Sequence, residues 1–134
     1  MANMYDIVII GGGPGGYSAG LYAARAGLHV AVLEKQAIGG QAIWSENIEN
    51  YPGFDAGIDG LSLSEKMQRG AERFGAEMVT DEVRRVHLMQ PVKVIEAAKQ
   101  TYQAPAVILA TGAPPRKLSV EGEEEMLGRG VHYY

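Results

Sequence analysis

The stretch "VIIGGGPGGYSAGLYAARAG", residues 8–27, decides the fold of this 134-residue chain. Its apolar start predicts a strand over residues 5–10, which leads into five glycines and one proline. A pattern of small residues then predicts a helix over residues 14–26, with Gly27 where a helix C-cap glycine belongs. A second apolar run predicts a strand over residues 28–34. Two strands joined by a helix form a βαβ unit, which implies a right-handed crossover and a parallel sheet.

The composition, 46% hydrophobic and 21% charged, is that of one folded domain of ordinary size. The formal net charge of −4 gives no reason to expect a nucleic acid or an anionic membrane as a partner. No apolar run approaches the roughly 20 residues of a membrane span. The chain has no cysteine, which excludes a disulfide, thiolate catalysis and a Cys-ligated metal within these residues. Together with an N-terminus that lacks the pattern of a signal peptide, this favours a cytoplasmic location.

A second helix and a third parallel strand are predicted in the middle of the chain. Ser62-x-x-Glu65 has the form of a capping box, and Gly75 ends the helix that follows it. The apolar residues at helical spacing behind this box are Leu63, Met67, Ala71 and Phe74. Residues 76–80 then predict the strand.

The last third of the chain changes character twice. Residues 83–103 alternate with the period of a strand and carry short turns, which predicts a small antiparallel meander. Residues 106–110 form another fully apolar strand, followed by Thr111-Gly112. We predict that the folded unit covers residues 1–115 and that residues 116–134 are a linker with solvated glutamates.

The glycines after the first strand follow the pattern Gly11-x-Gly13-x-x-Gly16, between a strand and a helix. The first glycine permits the tight turn, the second lets the backbone approach a pyrophosphate, and the third lets the helix pack against the strand. The N-terminus of the helix offers free N–H groups and partial positive charge to the phosphates. A lone motif of this kind also occurs as a simple flexible turn.

Glu34 supports the interpretation as a dinucleotide site, because it ends the second strand 18 residues after Gly16. A carboxylate at this place accepts hydrogen bonds from an adenosine ribose and disfavours a 2′-phosphate. The alternative is a solvated charge at a strand end. The residues therefore indicate FAD or NAD rather than NADP, and the pattern alone leaves the choice between FAD and NAD open.

Five segments give a more specific indication. They are "GGGPGGYSAGLYAARAG" (11–27), "GGQ" (39–41), "ENYPGF" (49–54), "VILATGAPPR" (107–116) and "EGEEEMLGRGV" (121–131). In this order and spacing the chain resembles the N-terminal part of the FAD domain of low-molecular-weight thioredoxin reductases and their flavoprotein relatives. The resemblance implies a Rossmann-like α/β fold, a parallel sheet with a small antiparallel insertion, that is incomplete relative to the family. It also implies an FAD-dependent NAD(P)H oxidoreductase whose flavin passes electrons to a disulfide or another acceptor.

The resemblance assigns cofactor roles by position. The residues that match the pyrophosphate loop are Gly11, Gly13, Pro14, Gly15 and Gly16. Those that match the ribose-binding acid and its neighbour are Glu34 and Lys35. Those that match the flavin side are Gly39, Gly40, Gln41 and Asn50. Val83 falls where backbone groups hold the adenine, and Thr111 and Gly112 close over the cofactor. The alternatives are loop capping for Gln41 and Asn50 and a plain strand-ending turn for Thr111 and Gly112.

Other parts of the family pattern are not found in these residues. The chain has one GxGxxG motif and no Cys-x-x-Cys. We therefore expect no catalytic side chain and no metal site here, with NAD(P)H binding to a domain outside this chain. Trp44 and Tyr51 are interpreted as loop packing rather than flavin contacts. We expect self-association or a completing protein chain, with a redox protein as a possible acceptor. The other hypotheses are a non-catalytic FAD-binding subunit and a plain NAD-binding domain.

Overall fold

A computed structural model describes residues 3–36 and 38–133. The start of the predicted folded unit, residues 1 and 2, and the end of the predicted linker, residue 134, lie outside the described residues. In chain order the elements are β1 (Asn3–Met4), β2 (Ile7–Ile10), α1 (Pro14–Arg25), β3 (Val30–Glu34), a 3-10 helix (Gly40–Trp44), α2 (Gly60–Arg73), β4 (Glu77–Thr80), β5 (Val83–His87), β6 (Lys93–Ala97), β7 (Thr101–Ala104) and β8 (Ala106–Leu109).

One four-stranded sheet is parallel throughout, in the order β4-β3-β2-β8. Ile7 pairs with Val30 on one side and with Ala106 on the other, so β2 lies inside the sheet. Both central strands are buried because helices cover one face and a second sheet covers the other. The predicted parallel α/β fold is therefore confirmed, with the βαβ unit at its start.

Strands β2 and β3 begin later than the sequence predicted, because the residues before them make other contacts. The Tyr5 N–H donates to the Gln103 carbonyl at 2.9 Å and so leaves the parallel sheet. The Asp6 carboxylate accepts from the His29 N–H at 2.7 Å and closes the corner where the two strands enter.

The second four-stranded sheet has the order β1-β7-β6-β5. Strands β5, β6 and β7 form the predicted antiparallel meander. The short strand β1 adds to it in parallel, with Asn3 opposite Tyr102, and was not predicted because two residues show no periodicity.

The core follows from the alternation of side chains along the central strands. Val8 and Ile10 point to one side, where they pack with Ile95 and Tyr102 of the meander. Ile9 points to the other side and packs with residues of α1. The molecule thus has three layers, and the carboxyl ends of the parallel strands open at one edge.

The predicted capping box of α2 is wrong. The helix begins at Gly60, and the carboxylate of Asp59 caps it by accepting from the Ser62 N–H at 2.8 Å. A Cβ on Gly60 would collide with the Ala42 carbonyl, so close packing against the 3-10 helix needs glycine here. Phe74, predicted at the same helical spacing as Leu63 and Ala71, is 44% exposed, whereas those two residues are buried.

Residues 116–133 contain turns and one isolated bridge between Leu127 and Val131. Glu123 is not solvated as predicted, because its carboxylate is buried and accepts from the N–H groups of Leu118 and Ser119. The boundary between residues 115 and 116 stays a prediction. Within the described part of the chain, no helix is both long and apolar enough to cross a membrane.

Candidate functional site

The glycine loop joins the carboxyl end of β2 to the start of α1. Gly11 has φ +115°, and a Cβ there would collide with the Ala110 carbonyl. A Cβ on Gly16 would collide with the Gly11 carbonyl. The packing of the protein itself therefore requires these two glycines, as the sequence predicted.

Gly13 and Gly15 differ from them because no protein atom requires a glycine at either position. Gly13 has extended backbone, φ −90° and ψ −174°, which any residue adopts. The atom nearest to an added Cβ would be the Gly39 oxygen at 3.9 Å for Gly13 and the Ala110 Cβ at 4.0 Å for Gly15. This surface is bare without a packing reason, which indicates that the backbone is kept open for a ligand.

The N-terminus of α1 supports the same conclusion. Within the described residues, no side chain caps this helix, and its first turn carries no acidic residue. The first N–H groups of a helix have no intrahelical partner and carry partial positive charge. The loop therefore presents an anion-binding helix terminus beside the open backbone of Gly13.

A cavity of ≈ 630 Å³ runs past this loop. Four segments line it: the glycine loop, residues 34–36, the 3-10 helix Gly40–Trp44 and residues 110–114. The predicted site residues among its lining are Gly11, Gly13, Pro14, Gly15, Glu34, Lys35, Gly40, Gln41, Thr111 and Gly112. Gly16 and Gly39 are buried and are not among the lining residues.

Glu34 is held at the edge of the cavity by the backbone of the loop. Its Oε2 accepts from the Gly12 N–H at 2.7 Å, and its Oε1 accepts from the N–H groups of Lys35 at 2.7 Å and Gln36 at 3.2 Å. Gly12 was not among the predicted site residues. In the structure it must be small, because a Cβ there would lie 2.9 Å from the Glu34 Cβ. The sequence feature that pointed to Gly12 is that a glycine stands where the GxGxxG motif allows any residue.

A second cavity of ≈ 240 Å³ adjoins Glu34 on the side away from the 3-10 helix. Val83 lines it, together with Glu34, Lys35 and Thr111, which also line the larger cavity. The structure therefore brings Val83 to the same end of the site as the carboxylate.

Asp81 also lines this second cavity, and it was not among the site residues predicted from the sequence. It is 2% exposed, and its carboxylate accepts from the Tyr102 hydroxyl and from the Lys99 N–H, both at 2.9 Å. Burial raises the pKa of Asp81, but these hydrogen bonds outweigh it and hold the pKa below its ordinary value. The wall of the cavity near Val83 is thus fixed by an ionised carboxylate.

The segment around residue 40 is fixed on both sides. Gly39 has φ +97°, and its N–H donates to the Gly12 carbonyl at 3.0 Å. The Gln41 amide donates from Nε2 to the Ala113 carbonyl at 2.8 Å, which links the 3-10 helix to the strand-end segment that contains Thr111. The two sides of the larger cavity are thereby tied together.

Trp44 lies differently from the prediction, Tyr51 packs as predicted, and Asn50 lies outside the lining of the two cavities. Asn50 is exposed and stands apart from the described residues that line the two cavities. Tyr51 packs in its loop against Phe54, with ring centroids 6.0 Å apart. Trp44 does not pack in its loop: it lines the larger cavity and is 71% exposed.

The arrangement is suited to holding an elongated anionic ligand. It offers a helix N-terminus and open backbone in the middle, a fixed carboxylate on one side and the 3-10 helix with Gln41 and Trp44 on the other. This is the combination that recognises a dinucleotide at the carboxyl ends of parallel strands.

Comparisons with known proteins agree with this geometry. Residues 5–134 match the family described as pyridine nucleotide-disulphide oxidoreductase. The thioredoxin reductase of Listeria monocytogenes is 47% identical over 130 residues, which are 97% of this chain and 40% of that protein. The bifunctional thioredoxin reductase/thioredoxin of Mycobacterium leprae is 50% identical over 96% of this chain and 28% of that protein.

Among solved structures, the thioredoxin reductase from Streptococcus pyogenes is similar, with a TM-score of 0.85 and 43% identity. The match covers 97% of this chain and 42% of that one. The chain therefore spans less than half the length of the relatives it matches.

Proposed function

Because the chain belongs to the pyridine nucleotide-disulphide oxidoreductase family, we propose that it is the FAD-binding portion of a thioredoxin reductase-like oxidoreductase. FAD supplies the chemistry that passes electrons from NAD(P)H to a disulfide or another acceptor, since the cofactor rather than the protein carries this redox step. The chain's own residues bind the cofactor and orient it.

One observation carries the proposal: Gly13 and Gly15 are bare where no protein atom requires it. An open backbone beside an uncapped helix N-terminus is what a pyrophosphate needs. A Cβ at either of these two positions would meet no protein atom closer than 3.9 Å, so the space beside them is open to a ligand.

The remaining residues divide between the two halves of the dinucleotide. We assign the adenosine half to the side of Glu34 and Val83, where the smaller cavity lies. We assign the flavin half to the side of Gln41 and Gly112. The carboxylate of Glu34 favours a free 2′-hydroxyl over a 2′-phosphate, and this supports FAD at the loop rather than NADP.

We also propose a protein partner, which would bind at the β8 edge of the parallel sheet. Among residues 3–36 and 38–133, β8 pairs with β2 alone, and Leu109 on it is 60% exposed. An apolar strand edge is prone to pair with another chain. We propose that a second copy or a completing polypeptide covers this edge.

The test is flavin occupancy after a change at Gly13. Gly13→Val keeps a backbone conformation that valine adopts readily, and it adds methyl groups only to the surface of the cavity. The matched control is Gly70→Val, at a glycine of α2 with open space around it and no place in the cavity.

We expect the purified wild-type chain and Gly70→Val to retain FAD through gel filtration, as measured by visible absorbance. Gly13→Val is expected to fold, by circular dichroism, and to lose the flavin. Full flavin occupancy in Gly13→Val would show that the loop does not hold the pyrophosphate.

A further inference from the structure

Trp44 is a large aromatic residue whose position the fold does not explain by packing. It is the one tryptophan of the sequence, and it is 71% exposed, whereas the large side chains of the core are almost fully buried. Leaving an indole in water forgoes its large hydrophobic contribution to stability. Other exposed aromatic residues such as Tyr22 lie away from the cavities, whereas Trp44 lines the larger one, where a bound ligand would meet its indole.

The backbone that carries Trp44 is well fixed. It ends the 3-10 helix, where the Ser45 N–H donates to the Ala42 carbonyl at 3.1 Å. The Gly60 N–H donates to the Ser45 carbonyl at 2.8 Å, which anchors this turn to the start of α2. A rigid support with an exposed aromatic side chain is suited to binding a flat ligand, because little is lost in ordering it.

The location of Trp44 identifies which part of a dinucleotide it meets. The 3-10 helix starts against the glycine loop, since a Cβ on Gly40 would lie 3.4 Å from the Gly13 Cα, and it continues to Trp44. The carboxylate of Glu34 contacts the loop at Gly12, and Glu34 lines the smaller cavity as well as the larger one. Trp44 lines the larger cavity and has no part in the smaller one.

We propose that the indole of Trp44 stacks on the isoalloxazine ring of FAD and is a positioning residue for it. This inference rests on the proposed function and adds a residue at the flavin half. Aromatic rings attract one another in offset stacks, and nucleic-acid bases stack on aromatic side chains in the same way. Trp44 thereby fixes the ring plane, while Glu34 and the loop hold the other half.

The experiment compares two ligands, FAD and ADP, in calorimetric titrations of the full chain. ADP reaches the loop and the adenosine side, and it lacks the flavin ring. For Trp44→Ala we expect FAD affinity to fall roughly tenfold, the scale of one stacking contact, and ADP affinity to stay as in the wild type. Trp44→Phe should recover most of the FAD affinity, because it keeps an aromatic face.

A second readout is the fluorescence of the bound flavin. An indole in contact with isoalloxazine quenches its emission, so emission per bound flavin should rise in Trp44→Ala and be intermediate in Trp44→Phe. The control is Tyr22→Ala, which removes an equally exposed aromatic residue on α1, 69% exposed, away from the cavity. It should leave both affinities and the emission unchanged.

The possible results separate this inference from the proposed function. Equal FAD affinity and equal flavin emission in the wild type and Trp44→Ala would overturn the stacking. An equal loss of ADP and FAD affinity would also overturn it, since it would show a general disturbance of the loop. A wild-type chain that binds neither ligand would overturn the proposed function itself.

Discussion

Glu34 is the residue on which both the glycine loop and the proposed ribose contact depend. A carboxylate has about four acceptor sites. The carboxylate of Glu34 already accepts hydrogen bonds from three backbone N–H groups, those of Gly12, Lys35 and Gln36. One site is left for a ribose hydroxyl. The side chain is therefore held in place without a ligand, in part by the loop that we propose binds the phosphates.

We predict that Glu34→Ala weakens FAD binding by roughly 1.5–3 kcal/mol, the scale of a hydrogen bond to a charged group. The visible spectrum of the bound flavin should barely change, because Glu34 lies on the adenosine side. Titration calorimetry and absorbance measure the two quantities, with Glu46→Ala, at an exposed acid outside the cavity lining, as the control. Equal affinities for the wild type and Glu34→Ala would support the alternative of a solvated strand-end charge.

Most of the residues that line the larger cavity were predicted from the sequence, because the glycine motif and Glu34 stand at a fixed distance from each other along the chain. It missed Gly12 and Asp81, whose roles depend on contacts between distant parts of the chain. Gly12 is required because Glu34 approaches it in space, and Asp81 because Tyr102 and Lys99 surround it. Neither contact has a signature in local sequence.

The secondary-structure elements were predictable where the hydrophobic pattern is strong. The central strands are apolar on both faces, which is typical of a buried parallel sheet. The start of α2 was misplaced because Asp59 and Ser62 are both good capping residues. The close approach of Gly60 to the Ala42 carbonyl accompanies the earlier start and involves a segment 18 residues away in sequence.

A second carboxylate at the amino end of the parallel sheet, besides that of Asp6, is that of Glu77 at the start of β4. Its Oε1 lies 3.0 Å from His29 Nε2, and its Oε2 accepts from the Tyr5 hydroxyl at 2.7 Å. The hydrogen bonds from His29 and Tyr5 hold the pKa of Glu77 below its ordinary value. Burial and the contact with Glu77 raise the pKa of Tyr5 to about 12, so the hydroxyl stays neutral and can donate.

We predict that Glu77→Gln lowers the free energy of unfolding near pH 6 by about 1 kcal/mol or less, since the side chain is half exposed and solvent screens it. Because the folded-state pKa is lowered, this stabilisation is present above the unfolded-state pKa and is lost as the pH falls through the folded-state value. Urea unfolding at pH 6 and at pH 3 should show the difference from the wild type shrinking. A difference that grows on acidification would contradict this assignment.

The whole molecule combines a formed binding surface with an exposed sheet edge. The cavities, the loop and both helices belong to one three-layer unit, whereas β8 leaves Ile108 37% and Leu109 60% exposed. The chain carries one GxGxxG motif and no cysteine. Its residues can therefore position a cofactor, but they cannot supply the thiolate that disulfide exchange requires.

We predict that this chain, loaded with FAD, shows no NAD(P)H-dependent disulfide reduction by itself. The measurement is the reduction of thioredoxin with NADPH or NADH, with free FAD at equal concentration as the control. Turnover above that of free FAD, with no other protein present, would contradict the view that the chain only binds and orients the flavin.

Calorimetric titration of the wild-type chain with FAD shows whether the bare glycine loop holds the pyrophosphate of the cofactor. We predict saturable binding of one FAD per chain, displacement by ADP, and loss of this binding in Gly13→Val. The absence of saturable binding, or an equal affinity in Gly13→Val, would contradict it.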